Sequence, residues 1–333
     1  MKASFQRYAL PCLLLLIGLS ACKTDDFDGP GLNDLYGEFD VLEPMVLSRD
    51  NVNFANQETV YFTAGFSKII EWKVTVTGLQ SGSQKIITGK SSKVDVSNSL
   101  WIGNTTVFPL FKAETCAVMM TFLNEPDTLR DTLTIAAPKV NSGVLIDNFE
   151  HGLNPNYVNW GIHGVNFYPD SIDHPAAEGD MYLRLNGTVN WDWLINKMVI
   201  PPSGGATYFA LPSNPAGLYF NCFIYGERDK ANTLLKFEFR EDDNGDGTYS
   251  SNTEDRYDYQ LNVDWDGWRL LSLDYSQLAT PSDGQFGGAN GNKFHQPDKI
   301  MTLDILLLSD PNLGEARSDL DYLIWTTGGA LNP

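Results

Sequence analysis

The sequence predicts an all-β protein, with an N-terminal immunoglobulin-like sandwich followed by a C-terminal β-jelly roll. Many short segments alternate apolar and polar residues with a period of two, the pattern of strands that have one buried face. Clusters of turn-forming residues separate these segments at intervals of about eight to twelve residues, as in β-sandwiches. No helical apolar period competes with this pattern.

The first 21 residues have the organisation of a secretory signal. Lys2 and Arg7 supply positive charge, and the apolar stretch 10–19 is too short to span a bilayer. The segment ends in Leu-Ser-Ala-Cys, which resembles the lipobox of bacterial lipoproteins. This resemblance implies that Cys22 is acylated and that lipid alone anchors the chain to the membrane. An ordinary signal peptide followed by an incidental cysteine is the alternative.

Residues 22–39 are predicted to form a flexible tether, because they are polar and rich in residues that break regular structure. Lys23 and the acids Asp25, Asp26 and Asp28 follow the cysteine directly. This cluster resembles the surface-export signal of glycan-foraging Gram-negative bacteria, which implies an outer-membrane protein that faces the cell exterior. A generic acidic spacer is the alternative.

The formal net charge is −19, from 42 acidic and 23 basic residues. Nucleic acids and anionic lipid surfaces bind proteins through basic patches, so this balance argues against both as partners. Neutral ligands and divalent cations are compatible with an acidic surface.

A domain boundary is predicted at residues 136–143, where a strand ends and a proline with small polar residues follows. Residues 40–137 are then the immunoglobulin-like sandwich, and residues 144–333 are the jelly roll. The expected strands are 72–76, 93–96, 116–122 and 129–135 in the first part, and 144–149, 181–185, 218–225, 234–240, 257–263, 268–273, 303–307 and 322–326 in the second.

Cys116 and Cys222 are the two cysteines of the predicted domains. Each lies in an alternating apolar segment, where burial as a small hydrophobic side chain is favoured over a disulfide or a reactive thiol. The predicted immunoglobulin-like sandwich therefore lacks the disulfide of antibody domains.

Four segments of the second half resemble the jelly-roll carbohydrate-binding modules, including family 11, and the galactose-binding-like fold: residues 145–150, 266–275, 297–300 and 320–324. Their order along the chain follows that of the modules. The resemblance implies a domain that binds polysaccharide or oligosaccharide. Together with the lipobox, the chain resembles surface glycan-binding lipoproteins encoded beside polysaccharide importers, which implies an outer-membrane import complex as a partner.

An acid-rich stretch between two expected strands predicts a structural Ca²⁺ site. Oxygen-bearing side chains alternate there with other residues, and glycines permit the tight turn that a calcium loop requires. The spacing follows an EF-hand loop as far as Gly247, but residue 253 is a threonine and the acid follows one position later. A solvated hairpin tip is the alternative. The predicted ligands are Asp242, Asn244, Asp246, Thr248 and Glu254.

The resemblance to jelly-roll modules implies a second structural Ca²⁺ site. In such modules an acid on the first strand and an aspartate before the last strand hold the ion, and Glu150 and Asp321 occupy the matching positions. Asp180 is a further candidate ligand. Ordinary surface acids are the alternative.

Aromatic side chains beside polar ones are candidates for sugar binding, because a pyranose presents C–H groups on its face and hydroxyls around its rim. Aromatic residues are also strand formers, so completion of the core is the alternative. The candidate ligand-binding residues are Trp160, His163 and Tyr168 in one cluster, Trp191 and Trp193 in a second, and Tyr219, Asn221 and Tyr225 (with Phe223) along one face of a strand.

No catalytic motif is present: the histidines have no H-E-x-x-H spacing and no G-x-S-x-G occurs. The sequence therefore predicts a non-catalytic surface lipoprotein that captures polysaccharide through its C-terminal jelly roll and supports uptake. A protein-binding adhesin or structural surface lipoprotein is one alternative. A jelly-roll glycoside hydrolase or lyase is another, although no carboxylate pair can be singled out.

Overall fold

The computed structural model describes residues 37–188, 193–230, 233–280, 290–309 and 315–333. Within these ranges the chain forms 18 strands and only short helical turns, which confirms the all-β class. No helix in the described ranges is long and apolar enough to cross a membrane. The predictions on Cys22, on residues 22–36 of the tether and on Trp191 lie outside the described residues.

The first six strands form one continuous sheet, in the order β1-β3-β5-β6-β2 with β4 paired to β3. Apolar side chains that alternate along these strands, such as Trp72, Val74 and Val76, enter a single buried core. The strands are β1 (Val41–Leu47), β2 (Asn51–Asn53), β3 (Phe62–Gly78), β4 (Gln84–Val94), β5 (Glu114–Phe122) and β6 (Glu125–Ala137).

The long strand β3 pairs with three other strands along different parts of its length. Its residues 62–66 pair with β1, whereas its residues 72–78 pair with β5, and its register on β4 shifts between Gly65 and Ile70. This strand of 17 residues therefore holds β1, β4 and β5 in one sheet. The sequence pattern shows which residues alternate but not where a strand changes partners.

The strand expected at residues 93–96 ends early. β4 stops at Val94 because Asp95 begins a short helix, α1 (Val96–Ser99). The Asp95 carboxylate accepts a hydrogen bond from the Ser97 backbone N–H at 2.9 Å, and the Asn98 side chain accepts one from the Asp95 N–H at 2.9 Å. This reciprocal cap satisfies donors at the helix start, so it overrides the alternating pattern.

The remaining strands form two sheets. One has seven strands, in the order β16-β13-β18-β10-β9 with β7 and β11 on β18, and the other has five, in the order β15-β14-β17-β12-β8. The strands are β7 (Val144–Asp147), β8 (Val158–Asn159), β9 (Tyr168–Asp170), β10 (Tyr182–Arg184), β11 (Asn186–Thr188), β12 (Leu194–Ile200), β13 (Leu218–Gly226), β14 (Leu234–Glu241), β15 (Arg256–Asn262), β16 (Gly267–Asp274), β17 (Ile300–Leu308) and β18 (Glu315–Thr327).

The two sheets enclose a common core. Phe220 of β13 lies with its ring centroid 5.4 Å from that of Phe237 and 5.3 Å from that of Phe239, both on β14. All three rings are fully buried. Burial of large aromatic rings between facing sheets is the main stabilising contribution in such sandwiches. All eight strands expected in this half are present, and β12 is the longest strand that the pattern missed.

Contacts join the N-terminal part to the seven-stranded sheet. The Phe108 ring packs against Phe223 of β13 with centroids 4.9 Å apart, and the Leu110 N–H donates to the Ala177 carbonyl at 2.7 Å. The Thr105 N–H donates to the carbonyl of Pro333 at 2.8 Å. We call this set of contacts the junction. The junction covers part of the outer side of the seven-stranded sheet.

Candidate functional site: a charged sheet face beside exposed tryptophans

The prediction that the aromatic-polar face of β13 is open is wrong at its centre. Asn221 and Phe223 are fully buried. The Asn221 amide donates to the Ile324 carbonyl at 3.3 Å and to Thr326 Oγ1 at 3.0 Å, and its oxygen accepts the Leu331 N–H at 3.0 Å. Its hydrogen-bonding groups are thus used inside the protein and are inaccessible to a ligand.

The ends of that face are also occupied by protein groups. Tyr225 stacks on His174 with centroids 3.5 Å apart and meets the edge of Trp268 at 5.2 Å. Trp268 in turn donates to the Pro175 carbonyl at 2.7 Å, and Tyr219 is half-buried. The junction and the segment around residue 175 cover this side of the sheet, which the spacing of residues within one strand could not reveal.

The outer side of the five-stranded sheet has a different character. On β14 the side chains of Phe237 and Phe239 enter the core, so the alternating Lys236, Glu238 and Arg240 lie on the opposite side. The pairing of β14 with its neighbours places further charged residues beside them. We call this side the charged face; its ionic residues are Lys197, Lys236, Glu238, Arg240, Arg256, Asp258 and Asp304.

Ion pairs connect the charged face across four strands. Asp304 of β17 lies 2.5 Å from Lys197 Nζ of β12 and 2.7 Å from Arg240 Nη2 of β14. On the other side, Lys236 Nζ lies 2.7 Å from Asp258 and 3.1 Å from Glu238. The shared partners make one network rather than isolated surface pairs, so the head groups are held in place.

Burial and charge act in opposite directions on Glu238. Burial raises the pKa of this carboxyl, but Arg256, Lys197 and Lys236 outweigh burial and hold the pKa below its usual value. Glu238 is therefore an anion at neutral pH. With four cations and three carboxylates, the face carries no excess of negative charge in a chain of net charge −19.

Several polar atoms of this region have no hydrogen-bond partner in the protein. They are Arg240 Nε, Thr302 Oγ1, Asp304 Oδ1 and the Tyr249 hydroxyl, and all four atoms are buried. Both donors and acceptors are among them. Buried polar atoms are rarely left unpaired, so such a concentration is a signal of water or ligand.

Aromatic side chains border the charged face. The Lys197 ammonium lies 4.7 Å from the ring centroid of Trp160, and 55% of Trp160 is exposed. The backbone N–H of Trp160 donates to the backbone carbonyl of Lys197 at 2.9 Å. This hydrogen bond extends the pairing of β8 with β12 and holds Trp160 beside Lys197. Trp193 directly precedes β12 and is 49% exposed, and the Tyr249 ring lies 5.0 Å from the Arg240 guanidinium carbon.

The other predicted aromatic residue of the first cluster lies elsewhere. Tyr168 is 46% exposed, but it is on β9, the edge strand of the seven-stranded sheet. His163 lies in a short 3-10 turn, and its side chain is outside the described part of the structure. Of the predicted sugar-binding residues, the structure thus places Trp160 directly after β8 and Trp193 directly before β12, both next to strands of the five-stranded sheet.

The acidic stretch forms the connection between β14 and β15. Asp242 is fully buried and accepts hydrogen bonds from the Gly245 and Gly247 N–H groups at 2.7 and 2.8 Å and from the Tyr208 hydroxyl at 2.6 Å. Asn244 and Thr248 are exposed. Gly245 and Gly247 both have positive φ, 75° and 80°, which a side chain would strain. The predicted tight loop is therefore present.

Two further acids, Asp255 and Glu241, are buried at the base of this loop. Asp255 accepts the Gly291 N–H at 2.9 Å and a second bond from the Lys293 N–H. Glu241 accepts the Tyr275 hydroxyl and the Gln296 N–H, each at 2.6 Å. Burial, followed by nearby acids, raises the pKa of Glu241 to about 8. These acids fasten the segment 290–296 to the loop.

Among the described residues, Glu150 and Asp321 do not belong to a cluster of three acids. The Asp321 carboxylate is fully buried and accepts the Glu178 N–H at 2.8 Å, while Glu150 accepts the Asp180 and Met181 N–H groups at 2.7 Å. Asp180 instead pairs with Lys112 of the N-terminal part. Burial raises the pKa of Asp321 well above its usual value.

The charged face itself is what sequence reasoning missed. Lys236, Glu238 and Arg240 alternate with apolar residues in a strand whose bounds were predicted. The sequence therefore indicates that these three side chains lie on the same side of β14. Lys197 and Asp304 join them only through strand pairing across β12 and β17.

No family model matches this chain. A search of curated proteins also gives no match.

Several solved structures resemble the chain at low similarity. One, described as carbohydrate-binding modules from the β-sandwich superfamily, has 12% identity and a TM-score of 0.38, over 86% of this chain and 98% of that chain. A family 11 carbohydrate-binding module from Clostridium thermocellum, solved with a mixed-linked tetrasaccharide, has 12% identity and a TM-score of 0.38, over 57% and 97%.

A third resemblance is to SGBP-B from a complex xyloglucan utilization locus in Bacteroides uniformis. It has 13% identity and a TM-score of 0.33, over 86% of this chain and 73% of that chain. Resemblances this distant do not identify a ligand for the present chain.

Proposed function

We propose that this protein is a cell-surface lipoprotein that binds polysaccharide on the charged face without cleaving it, and so supports glycan capture for uptake. The lipid on Cys22 anchors it to the outer membrane, and an outer-membrane import complex is its partner. The proposal rests on one combination: the charged face holds polar atoms that have no hydrogen-bond partner, and the exposed indole of Trp160 lies at the edge of this face.

The chemistry of the charged face suits a sugar. Each sugar hydroxyl both donates and accepts a hydrogen bond, so it can pair with donors such as Arg240 Nε and with acceptors such as Asp304 Oδ1. The exposed part of Trp160 offers an apolar surface to the C–H face of a pyranose. Because the cations are already paired with carboxylates, a neutral glycan is favoured over an acidic one.

A sugar can reach the unpartnered polar atoms only if the side chains that cover them on the charged face move. The unpartnered atoms are covered in this structure, and Tyr249 lies over Arg240 in the β14–β15 loop. We therefore expect the Tyr249 ring to move when a sugar binds. The Trp160 indole is accessible already and provides the first contact.

The glycan proposal is tested by migration of the full chain in native gels that contain mixed-linkage β-glucan, xylan or xyloglucan. We expect at least one polysaccharide to retard the protein. Trp160→Ala should weaken this binding about tenfold, equivalent to about 1.4 kcal/mol, because the stacking surface is lost.

The matched control is Ile69→Ala, which removes an exposed apolar side chain from β3 in the N-terminal part. Its binding should equal that of the unaltered chain. Absence of retardation by every polysaccharide, or an equal loss in the control, would contradict the proposal. New reducing ends in the polysaccharide would contradict the non-catalytic role.

The anchor is tested separately by growth of the expressing bacterium with labelled palmitate. We expect label in the full-length protein and none in the Cys22→Ser variant, which should also leave the membrane fraction. Label that persists in this variant would rule out acylation of Cys22.

A further inference from the structure

The loop between β14 and β15 brings three carboxylates together. Asp242, Asp246 and Glu254 each offer one oxygen, and these oxygens lie within 4.8 Å of one another. Asp242 and Glu254 are fully buried, whereas Asp246 is exposed. None of the ion pairs found among the described residues involves these three carboxylates, although the Lys299 ammonium lies beside Gly245 of the same loop.

Glu254 supplies an independent sign that a partner belongs here. One of its oxygens, Oε2, accepts the N–H of Ser250, but Oε1 is buried and has no hydrogen-bond partner. A buried carboxylate oxygen without a partner is costly, and two further carboxylates nearby increase the cost. A cation at this point would remove both penalties.

We propose that Asp242, Asp246 and Glu254 bind one Ca²⁺ ion. The candidate ligands are all oxygens, which favours a hard cation over zinc or copper. The ligands come from one short loop with glycines at its turns, so the ion would hold the loop closed. Asn244 and Thr248, the other predicted ligands of this loop, have exposed side chains.

The ion would also act on the charged face. Tyr249 belongs to the same loop, between Asp246 and Glu254 in sequence, and its ring lies over Arg240. Calcium would therefore restrain the loop that carries Tyr249, and the Tyr249 ring is the one that has to move when a sugar binds. This consequence, unlike the site itself, rests on the proposed function.

The site is tested on the full chain after treatment with EDTA, in the absence of glycan. Calorimetric titration with CaCl₂ should give one ion per chain, and saturating calcium should raise the melting temperature by about 5 °C or more. Terbium offers a direct signal, because the Tyr208 hydroxyl lies 2.6 Å from Asp242 and can sensitise a bound lanthanide.

Glu254→Gln and Asp246→Asn should each weaken calcium binding at least tenfold, and Asp246→Asn alters only an exposed side chain. Asp264→Asn, an exposed aspartate in another loop, should bind as the unaltered chain does. Absence of binding heat and of a melting shift would overturn the proposal, as would unchanged binding in both site variants. A failure of glycan binding would leave the calcium result intact.

Discussion

Glu114 is a buried carboxylate that hydrogen bonds alone keep ionised. Its oxygens accept the Ser81 hydroxyl at 2.5 Å and the backbone N–H groups of Ser81, Gln80 and Lys112 at 3.0, 2.7 and 3.0 Å. Burial raises the pKa of Glu114, but these hydrogen bonds outweigh it and place the pKa below its usual value. The carboxylate thereby ties the turn after β3 to the start of β5.

The lowered pKa of Glu114 gives a stability change with a definite sign. Its contribution is present above the ordinary carboxyl pKa of 4.5 and is lost as pH falls through the lower value of the folded state. We expect Glu114→Gln to lower the free energy of unfolding by about 1.5–3 kcal/mol at pH 7, and by less near pH 3.

Urea denaturation at both pH values measures this difference. Glu71→Gln is the control, because Glu71 has only an exposed ion pair with Lys90 and should cost at most about 1 kcal/mol. An equal loss of stability at pH 7 and pH 3 would show that the ionised form of Glu114 is unimportant.

Strand β14 shows how far a pattern within one element predicts structure. Its alternation fixes which side chains enter the core and which lie opposite, and the expected bounds 234–240 are within one residue of the observed ones. The assembly of Lys197 and Asp304 with Glu238 depends on the register of β12 and β17, which the sequence does not specify. The charged face was therefore beyond a strand-by-strand analysis.

Strand β13 shows a binding face that was predicted from the sequence but is buried in the structure. Its two sides were correctly divided, with Leu218, Phe220, Cys222 and Ile224 in the core. The opposite side was expected to be open, yet Phe223 is buried there. Whether a polar or aromatic side meets solvent depends on what packs on the sheet, and that partner lies more than a hundred residues earlier in the chain, at Phe108.

The tight turn of the acidic loop was predicted better than the exposure of the aromatic side chains, because the residues that form the turn are neighbours in the sequence. Asp242, Gly245 and Gly247 lie within six consecutive residues, and their hydrogen bonds form among themselves. Glu254 comes one position late for an EF-hand, and one of its carboxylate oxygens still lies within 4.8 Å of those of Asp242 and Asp246. Local turn chemistry requires no knowledge of sheet packing.

At the scale of the whole molecule, the junction determines how the N-terminal part is held against the seven-stranded sheet. Phe108 and Leu110 pack beside a small buried cluster that includes Phe223 and Ile324, and this cluster is separate from the two main cores. Because the junction is apolar at its centre, it should transmit unfolding between the two parts. We therefore expect the unaltered chain to unfold in one calorimetric transition.

A charge at the junction should separate the two parts. Leu110→Asp would place a carboxylate among the apolar side chains of this cluster, where burying an unpaired charge is costly. We expect two calorimetric transitions in place of one, each with the heat of a smaller cooperative unit. Val107→Asp is the matched control, because Val107 is 44% exposed three residues away and tolerates a charge in water. A single, merely lowered transition for Leu110→Asp would show that the main cores, rather than the junction, couple the two parts.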